Sequence, residues 1–417
     1  MIVRKTTESI KIPFSPPYID MDVILEVTES LQSGWITTGP KVKELEQMIA
    51  TMTGVSNVLC VNSWTSGAIL TMKWLGLGEG DEVIVPAYTY AATALSVMHA
   101  GATPVMVDVL DDFTIDPDKL RNAITPRTKA IISVDIAGWP CDYDSINAIL
   151  HAPEIKSQFT SANEVQATFG RPVLISDAAH SLGAMYQGKA AACASDITIF
   201  SLHAVKNVTT AEGGAICLNL PAPFDNEEIY KWLRLNALNG QTKDAFTKSQ
   251  GGGWRYDIVS DGLKVNMPDI CAAIGVAQLK KYESQLMPER KRVFEHYLSF
   301  FNMKNWAIIP AFEDADRTSS YHLFLLRIKN ITETQRDTII KKLADKDIAT
   351  NVHFIPMPML TLFKNMGYDI NDYPRSYANY TCEISLPVYP QLTNEECVYL
   401  EDALEQAYNE VINDATI

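Results

Sequence analysis

Seven short runs stand out because apolar residues fill both parities of the run, not every second position. They span residues 58–61, 82–85, 103–107, 128–134, 172–176, 197–201 and 214–218. Strands buried on both faces read this way, and most of these are separated by enough chain for a crossover helix, so the pattern predicts a largely parallel sheet covered on both sides. Between the first two runs, residues 65–75 carry a helical pattern that ends in GLGEGDE, where glycines supply the stop and the turn. From about 268 to 301 the text becomes one long helical pattern with Pro288 as its single breaker. Beyond it, strands are expected near 320–328 and 350–354 and helices near 334–344 and 393–410. The polar, helix-like stretch 151–170 reads as a surface insertion, and 240–253 (GQTKDAFTKSQGGG) as a mobile loop.

Composition narrows the class. Of 417 residues, 47% are hydrophobic and 20% charged, enough apolar material for a sizeable core. Asp and Glu number 50 against 35 Lys and Arg, and the net charge of −15 disfavours nucleic acid or an anionic membrane as partner. The basic triplet Arg290, Lys291 and Arg292 sits on a helical pattern and reads as a solvated face. No apolar run is long enough to cross a bilayer, and the opening MIVRKTTESIKIPF has charges where a signal peptide needs apolar residues, so a cytoplasmic protein is expected. The seven cysteines form no CxxC pair, which points to reduced thiols and no metal site.

Four stretches carry candidate chemistry. In FSLHAVKNVTTAEGGA (200–215), Lys206 follows a strand end among Leu202, Ala204, Val205 and Val208. Desolvation there would lower its pKa and make the amine nucleophilic, as condensation with an aldehyde cofactor requires. In VLISDAAHSLGA (173–184), Asp177 ends an apolar strand; it is either a helix cap or a buried carboxylate paired with a cation such as a protonated pyridine nitrogen. VNSWTSGA (61–68) is a strand–turn–helix junction whose free N–H groups suit a phosphate. VPAYTYAAT (85–93) places two tyrosines after a strand end, as core or as a plate on a planar ring. Together they set an amine, a carboxylate, an anion cradle and an aromatic at strand C-termini, where open α/β sheets bind ligands.

These stretches, in order with SGWITTGPKVKELE, GATPVMVDV, TKAIISVDIAGWP, VNMPDICAAIGVAQL and SLPVYPQLT, resemble the DegT/StrS family of nucleotide-sugar aminotransferases. The resemblance implies an α/β fold type I pyridoxal phosphate enzyme: a large cofactor domain over 12–280 with a mostly parallel seven-stranded sheet between helices, a smaller α+β domain over 281–417, and an arm over 1–11. It implies that Lys206 binds the cofactor aldehyde and then shuttles a proton, and that Asp177 pairs with the ring nitrogen. His180 would lie near the phenolic oxygen or be structural, and Tyr90 would stack on the ring. Trp64, Thr65 and Ser201 would hold the phosphate. Asn266 would reach that phosphate from a neighbouring subunit, in a homodimer with shared sites, or simply precede the helix after Pro268. The implied reaction moves an amino group, usually from glutamate, to a keto sugar linked to a nucleotide diphosphate, for amino-sugar or surface-polysaccharide synthesis.

Three departures accompany the resemblance. Trp64 stands where family members usually have Gly or Ala, Pro358 stands near a position where many have His, and the stretch 151–170 is longer than expected. A dehydratase branch carries His at the aldehyde-binding position, so Lys206 argues for amino transfer. An amino-acid transaminase or lyase would need an arginine clamp, with Arg255 and Arg327 as candidates; a non-catalytic regulator would be expected to lack the lysine.

Overall fold

All seven apolar runs are strands in the computed structural model, which describes residues 10–242 and 255–414. They are β1 (Asn57–Val61), β2 (Glu82–Pro86), β3 (Thr103–Val107), β4 (Thr128–Val134), β5 (Val173–Asp177), β8 (Ile197–Ser201) and β9 (Gly214–Leu218), with a small hairpin of β6 (Met185–Tyr186) and β7 (Lys189–Ala190) between. The spatial order is β1-β9-β8-β5-β4-β2-β3, and only β9 runs against the rest of this sheet. The α/β class and the mostly parallel seven-stranded sheet are therefore as the pattern predicts.

Register brings the motifs to one edge. Val134 at the end of β4 pairs with Asp177 at the end of β5. Gly214, where β9 starts back into the sheet, pairs with Ser201 on one side and Val61 on the other. The helix Trp64–Trp74 begins at the same edge, capped by the Ser63 hydroxyl, which accepts the Ser66 N–H at 3.0 Å. Gly67 lets that helix lie close on the sheet, since a Cβ there would meet Ile199 and Ile216 at 3.2 Å.

The helical stretch after residue 268 is broken where its proline demands. It runs as Asp269–Lys281, one π-helical turn over Tyr282–Leu286, and Met287–Phe301 with Pro288 in the first turn, where a missing N–H costs no helical bond. A second hydrophobic core follows, built on β10 (Ala307–Ile308), β12 (Phe324–Ile328), β13 (Glu383–Leu386) and the helices Glu333–Ala344 and Asn394–Asp414. β11 (Arg317–Thr318) joins the β6–β7 hairpin instead. Ile12, fully buried, packs in this second core and exchanges backbone bonds of 2.9 Å with Asp347 and Ala349.

Three expectations change. Arg290, read with Lys291 and Arg292 as a solvated face, is buried, its guanidinium donating to the Val388 carbonyl at 2.7 Å. Residues 350–354 make no ladder: Asn351 bridges to Ser385 on β13, after which His353 and Phe354 turn to line a cavity. β13 itself went unrecognised because Glu383 and Ser385 interrupt its apolar pattern, although all four of its residues are buried. The stretch 151–170 is docked on the protein. It forms helices Pro153–Gln158 and Glu164–Phe169, and the Asn163 and Gln166 amides both donate to the Leu75 carbonyl at 3.0 Å, satisfying the end of the helix Trp64–Trp74. Of the loop expected over 240–253, residues 243–253 lie outside the described residues.

Candidate active site

Lys206 sits on a loop tied at its neck. Leu202 N–H donates to the Gly213 carbonyl and Thr210 N–H to the Leu202 carbonyl, both at 2.8 Å. Beside the lysine, Asn207 donates to Ser320 O at 2.8 Å and to Tyr282 Oη at 3.2 Å, and Ser15 Oγ donates to Val205 O at 3.1 Å. The lysine therefore projects from a fixed support into a cavity of about 490 Å³, together with Ser63, Trp64, Thr65, Tyr90, Asp177, His180 and Ser201.

Asp177 is buried at the end of β5, with Thr93 Oγ1 donating to it at 2.8 Å and Ala179 N–H at 3.2 Å. Burial pushes its carboxyl up to about 7, opposed by those two bonds and by the positive charge of Lys206. Burial brings the Lys206 amine down to about 8, opposed by the negative charge of Asp177. Shifts of this size in one cavity are what proton transfer and nucleophilic attack near neutral pH need.

His180 accepts the Ala137 N–H at Nδ1, at 3.1 Å, so its ring proton resides on Nε2. Its ring lies against His322, with centroids 4.3 Å apart and planes tilted by 31°. His322 Nδ1 lies 2.8 Å from Asn207 Oδ1; because the Asn207 amide nitrogen donates elsewhere, this histidine donates through Nδ1. Burial and the Lys206 charge hold His180 and His322 well below the usual histidine range, so both are neutral.

The helix start at Trp64 lines one end of the cavity, where its free N–H groups suit an anion. A Cβ on Gly214 would come within 2.7 Å of Ser63 C and Trp64 N, so only glycine lets β9 pass against that turn. Gly214→Ala is expected to push the turn outward, costing about 1–3 kcal/mol and weakening phosphate binding; thermal unfolding and titration with pyridoxal phosphate measure both. The bulky Trp64 is accommodated because its side chain is 6% exposed and packs in the core under the sheet. Thr65 and Ser201 line the wall half-buried.

The remaining candidates lie at the rim or outside the cavity. Tyr90 is 65% exposed at the cavity rim, 5.9 Å by centroid from Phe354, while Tyr88 is fully buried against Phe113. Asn266 lies outside the cavity: its amide donates to Thr38 Oγ1 at 2.6 Å and its oxygen accepts from Lys264. Arg327 lines a separate cleft, bonded to Asn379 at 2.6 Å, and Arg255 is exposed. Thr93, Asn207, His322, His353, Phe354 and Phe14 went unassigned. Thr93 and Asn207 lie inside the motifs of the cofactor site and His353 and Phe354 at the head of the stretch that holds Pro358, whereas His322 and Phe14 come from distant segments that only folding brings near.

The residues present fit pyridoxal phosphate. Asp177 is a buried carboxylate whose hydrogen-bond partners are a hydroxyl and an N–H, the lysine is desolvated, and a helix start awaits an anion.

Comparison with known proteins agrees. The spore coat polysaccharide biosynthesis protein SpsC of Bacillus subtilis is 34% identical over 94% of this chain and 95% of its own. Spr1654 of Streptococcus pneumoniae, assigned as a sugar aminotransferase and solved in its PMP form, superposes with TM-score 0.93 at 42% identity, covering 98% of this chain and all (100%) of that one. PseC of Helicobacter pylori, an aminotransferase involved in the biosynthesis of pseudoaminic acid, superposes with TM-score 0.83 at 26% identity over 96% of this chain and 100% of its own. Residues 17–405 match a single family, so the chain belongs to the DegT/DnrJ/EryC1/StrS aminotransferase family, which is pyridoxal phosphate-dependent and has the fold type I architecture.

Proposed function

We propose that this chain transfers an amino group from an amino acid, with glutamate the first candidate, to the keto group of a nucleotide-linked sugar. A 4-keto sugar is the favoured acceptor, in amino-sugar or surface-polysaccharide synthesis. The observation that carries this reading is Lys206, held on its tied loop in the same cavity as a buried Asp177. The likeness to Spr1654 and to SpsC, a spore coat polysaccharide biosynthesis protein, supports a sugar as acceptor. An amino-acid transaminase or lyase is the second reading. It wants an arginine clamp, and no arginine lines the cavity among the described residues. A non-catalytic regulator would have no use for so supported a lysine.

When bound, pyridoxal phosphate supplies an aldehyde and an electron-withdrawing ring. Ser63, Thr65, Ser201 and the N–H groups at the start of the helix Trp64–Trp74 would hold its phosphate. Asp177 would keep a proton on the ring nitrogen, held in place by Thr93 and Ala179. Lys206, with its pKa near 8, can give up and recover a proton at Nζ close to neutral pH, which suits it as general acid and base. His180 offers a neutral Nε2–H, and Phe354 and Tyr90 limit the access of water.

The reading includes a homodimer with shared sites. Helix Met21–Ser33 exposes Met21, Ile24, Leu25 and Leu31, an apolar face suited to a second copy. To serve the partner's phosphate, Asn266 would exchange its bonds to Thr38 and Lys264 for that anion. It also keeps the division into residues 12–280 and 281–417, and a cytoplasmic location; no described helix is long and apolar enough to cross a membrane.

The test loads the purified chain with pyridoxal phosphate and screens UDP-, GDP- and dTDP-linked 4-keto and 3-keto sugars against a panel of amino donors, following the 2-oxo acid released. Turnover of one such sugar is expected. Activity confined to free 2-oxo acids would overturn the reading in favour of the amino-acid transaminase.

A further inference from the structure

His353 lines the cavity, with its ring stacked on Phe14 (centroids 5.4 Å apart) and edge-on to Phe354 (4.9 Å). Its Nδ1 is 2.9 Å from Ser385 Oγ, and that oxygen is 2.6 Å from Glu383 Oε1. The other carboxyl oxygen, Oε2, accepts the backbone N–H of His353 at 3.1 Å. Glu383 and Ser385 are 0% exposed on β13, and reciprocal backbone bonds of 2.8 and 3.2 Å between Ser385 and Asn351 fasten the histidine's segment to that strand.

A hydroxyl has one hydrogen to give, so this chain of groups has two ordered arrangements. With Glu383 ionised, Ser385 donates to Oε1 and accepts from Nδ1–H, leaving a lone pair on Nε2. With Glu383 protonated, Oε1–H donates to Ser385, Ser385 donates to Nδ1, and the ring proton resides on Nε2. The imidazole is uncharged in both.

We propose that His353 is a specificity-determining residue that presents Nε2 to an oxygen of the acceptor, and that Ser385 and Glu383 are positioning residues that select its tautomer. The proposal rests on the reading of this cavity as a keto-sugar site. Burial raises Glu383 to about 8, opposed by its two bonds and by the charges of Arg336 and Arg327. Burial and the Lys206 charge bring His353 down to about 3, so it stays neutral. Near neutral pH His353 therefore offers Nε2–H, which suits a ketone or hydroxyl oxygen; above about 8 it offers a lone pair, which a ketone cannot meet. The other groups facing this chain are Cys382 and Tyr88 beside Glu383, and His180 and His322 beside His353. Arg336 donates to the Tyr380 and Glu383 backbone carbonyls at 2.7 and 3.1 Å, and Arg327 to Asn379, so both guanidiniums act on the carboxyl through space.

The ring nitrogens of His353 can be followed by NMR of histidine-labelled protein, assigned by their loss in His353→Phe. The wild-type ring is expected to change from the Nε2–H to the Nδ1–H tautomer between about pH 6.5 and 9.5. Glu383→Gln, whose amide nitrogen can donate to Ser385 while its oxygen accepts the backbone N–H, is expected to hold Nε2–H throughout. A wild-type ring that keeps one tautomer, or a change that persists in Glu383→Gln, overturns the selector. In the loaded enzyme, His353→Phe is expected to raise KM for the keto sugar about tenfold more than it changes the glutamate half-reaction. Equal effects on both halves overturn the acceptor role. If the wild type used no keto sugar at all, the broader reading and the acceptor role would fall together, with the nitrogen spectra still deciding the selector.

Discussion

Lys206→Ala is expected to lower turnover by at least ~10⁴-fold, since one change removes both the nucleophile and the acid–base group. The cavity should otherwise survive, because the loop is held by bonds from Leu202, Asn207 and Thr210, not by the lysine. The variant should melt within a few degrees of the wild type yet give no borohydride-stable attachment of pyridoxal phosphate. In the cofactor-free wild type, attachment should quicken as pH rises through about 8, where the amine loses its proton, and level off above it. Full turnover in Lys206→Ala, or labelling of some other lysine in the wild type, would remove the basis of the proposed chemistry.

Asp177→Asn should separate function from stability. The carboxyl titrates near 7 in the folded chain against an ordinary value of 3.8, so folding favours its protonated form. Its contribution to stability is therefore greatest below the ordinary value and is lost as pH rises through about 7, where an ionised group is left buried. Asparagine cannot ionise, and Thr93 can turn its hydroxyl to accept from the new amide. The cofactor-free variant is expected to melt ~1–3 °C higher than wild type at pH 8 and no higher at pH 4. Turnover should fall about 10²–10³-fold for want of a charge opposite the ring nitrogen. A variant that melts lower at pH 8 would show that this carboxylate is already compensated without cofactor.

The sheet was legible because doubly apolar runs have few alternatives: five to seven residues, bounded by turns, buried on both faces. Lys206, Asp177 and the Ser63–Thr65 turn were legible for a related reason. Each lies within a few residues of such a run's end, so finding the strand end narrows the search to a short stretch. β13 was not, because Glu383 and Ser385 are polar for the sake of their contacts with His353, and that need is invisible in one dimension. His322, His353 and Phe14 come from segments far apart in sequence, and no local period signals that they converge. Residues 151–170 were read as surface text because most of their side chains are polar and exposed; the few apolar ones that dock them, Ile155, Val165 and Phe169, are too widely spaced to stand out as a buried run. Tyr90 stops at the cavity rim and Asn266 turns to Thr38 and Lys264, placements set by tertiary contacts that leave no local pattern.

The short N-terminal segment has a consequence for assembly. Ile12 is anchored to residues 347 and 349, Phe14 lies against His353, and Ser15 grips the carbonyl before Lys206. Residues 12–15 must therefore wait until residues 347–353 have been made before they find their seat, and loop closure over so long a separation is slow. The sheet can form earlier from neighbouring units, but the catalytic chamber is finished late. A nascent chain halted before residue 347 would hold Lys206 in a chamber missing part of its wall.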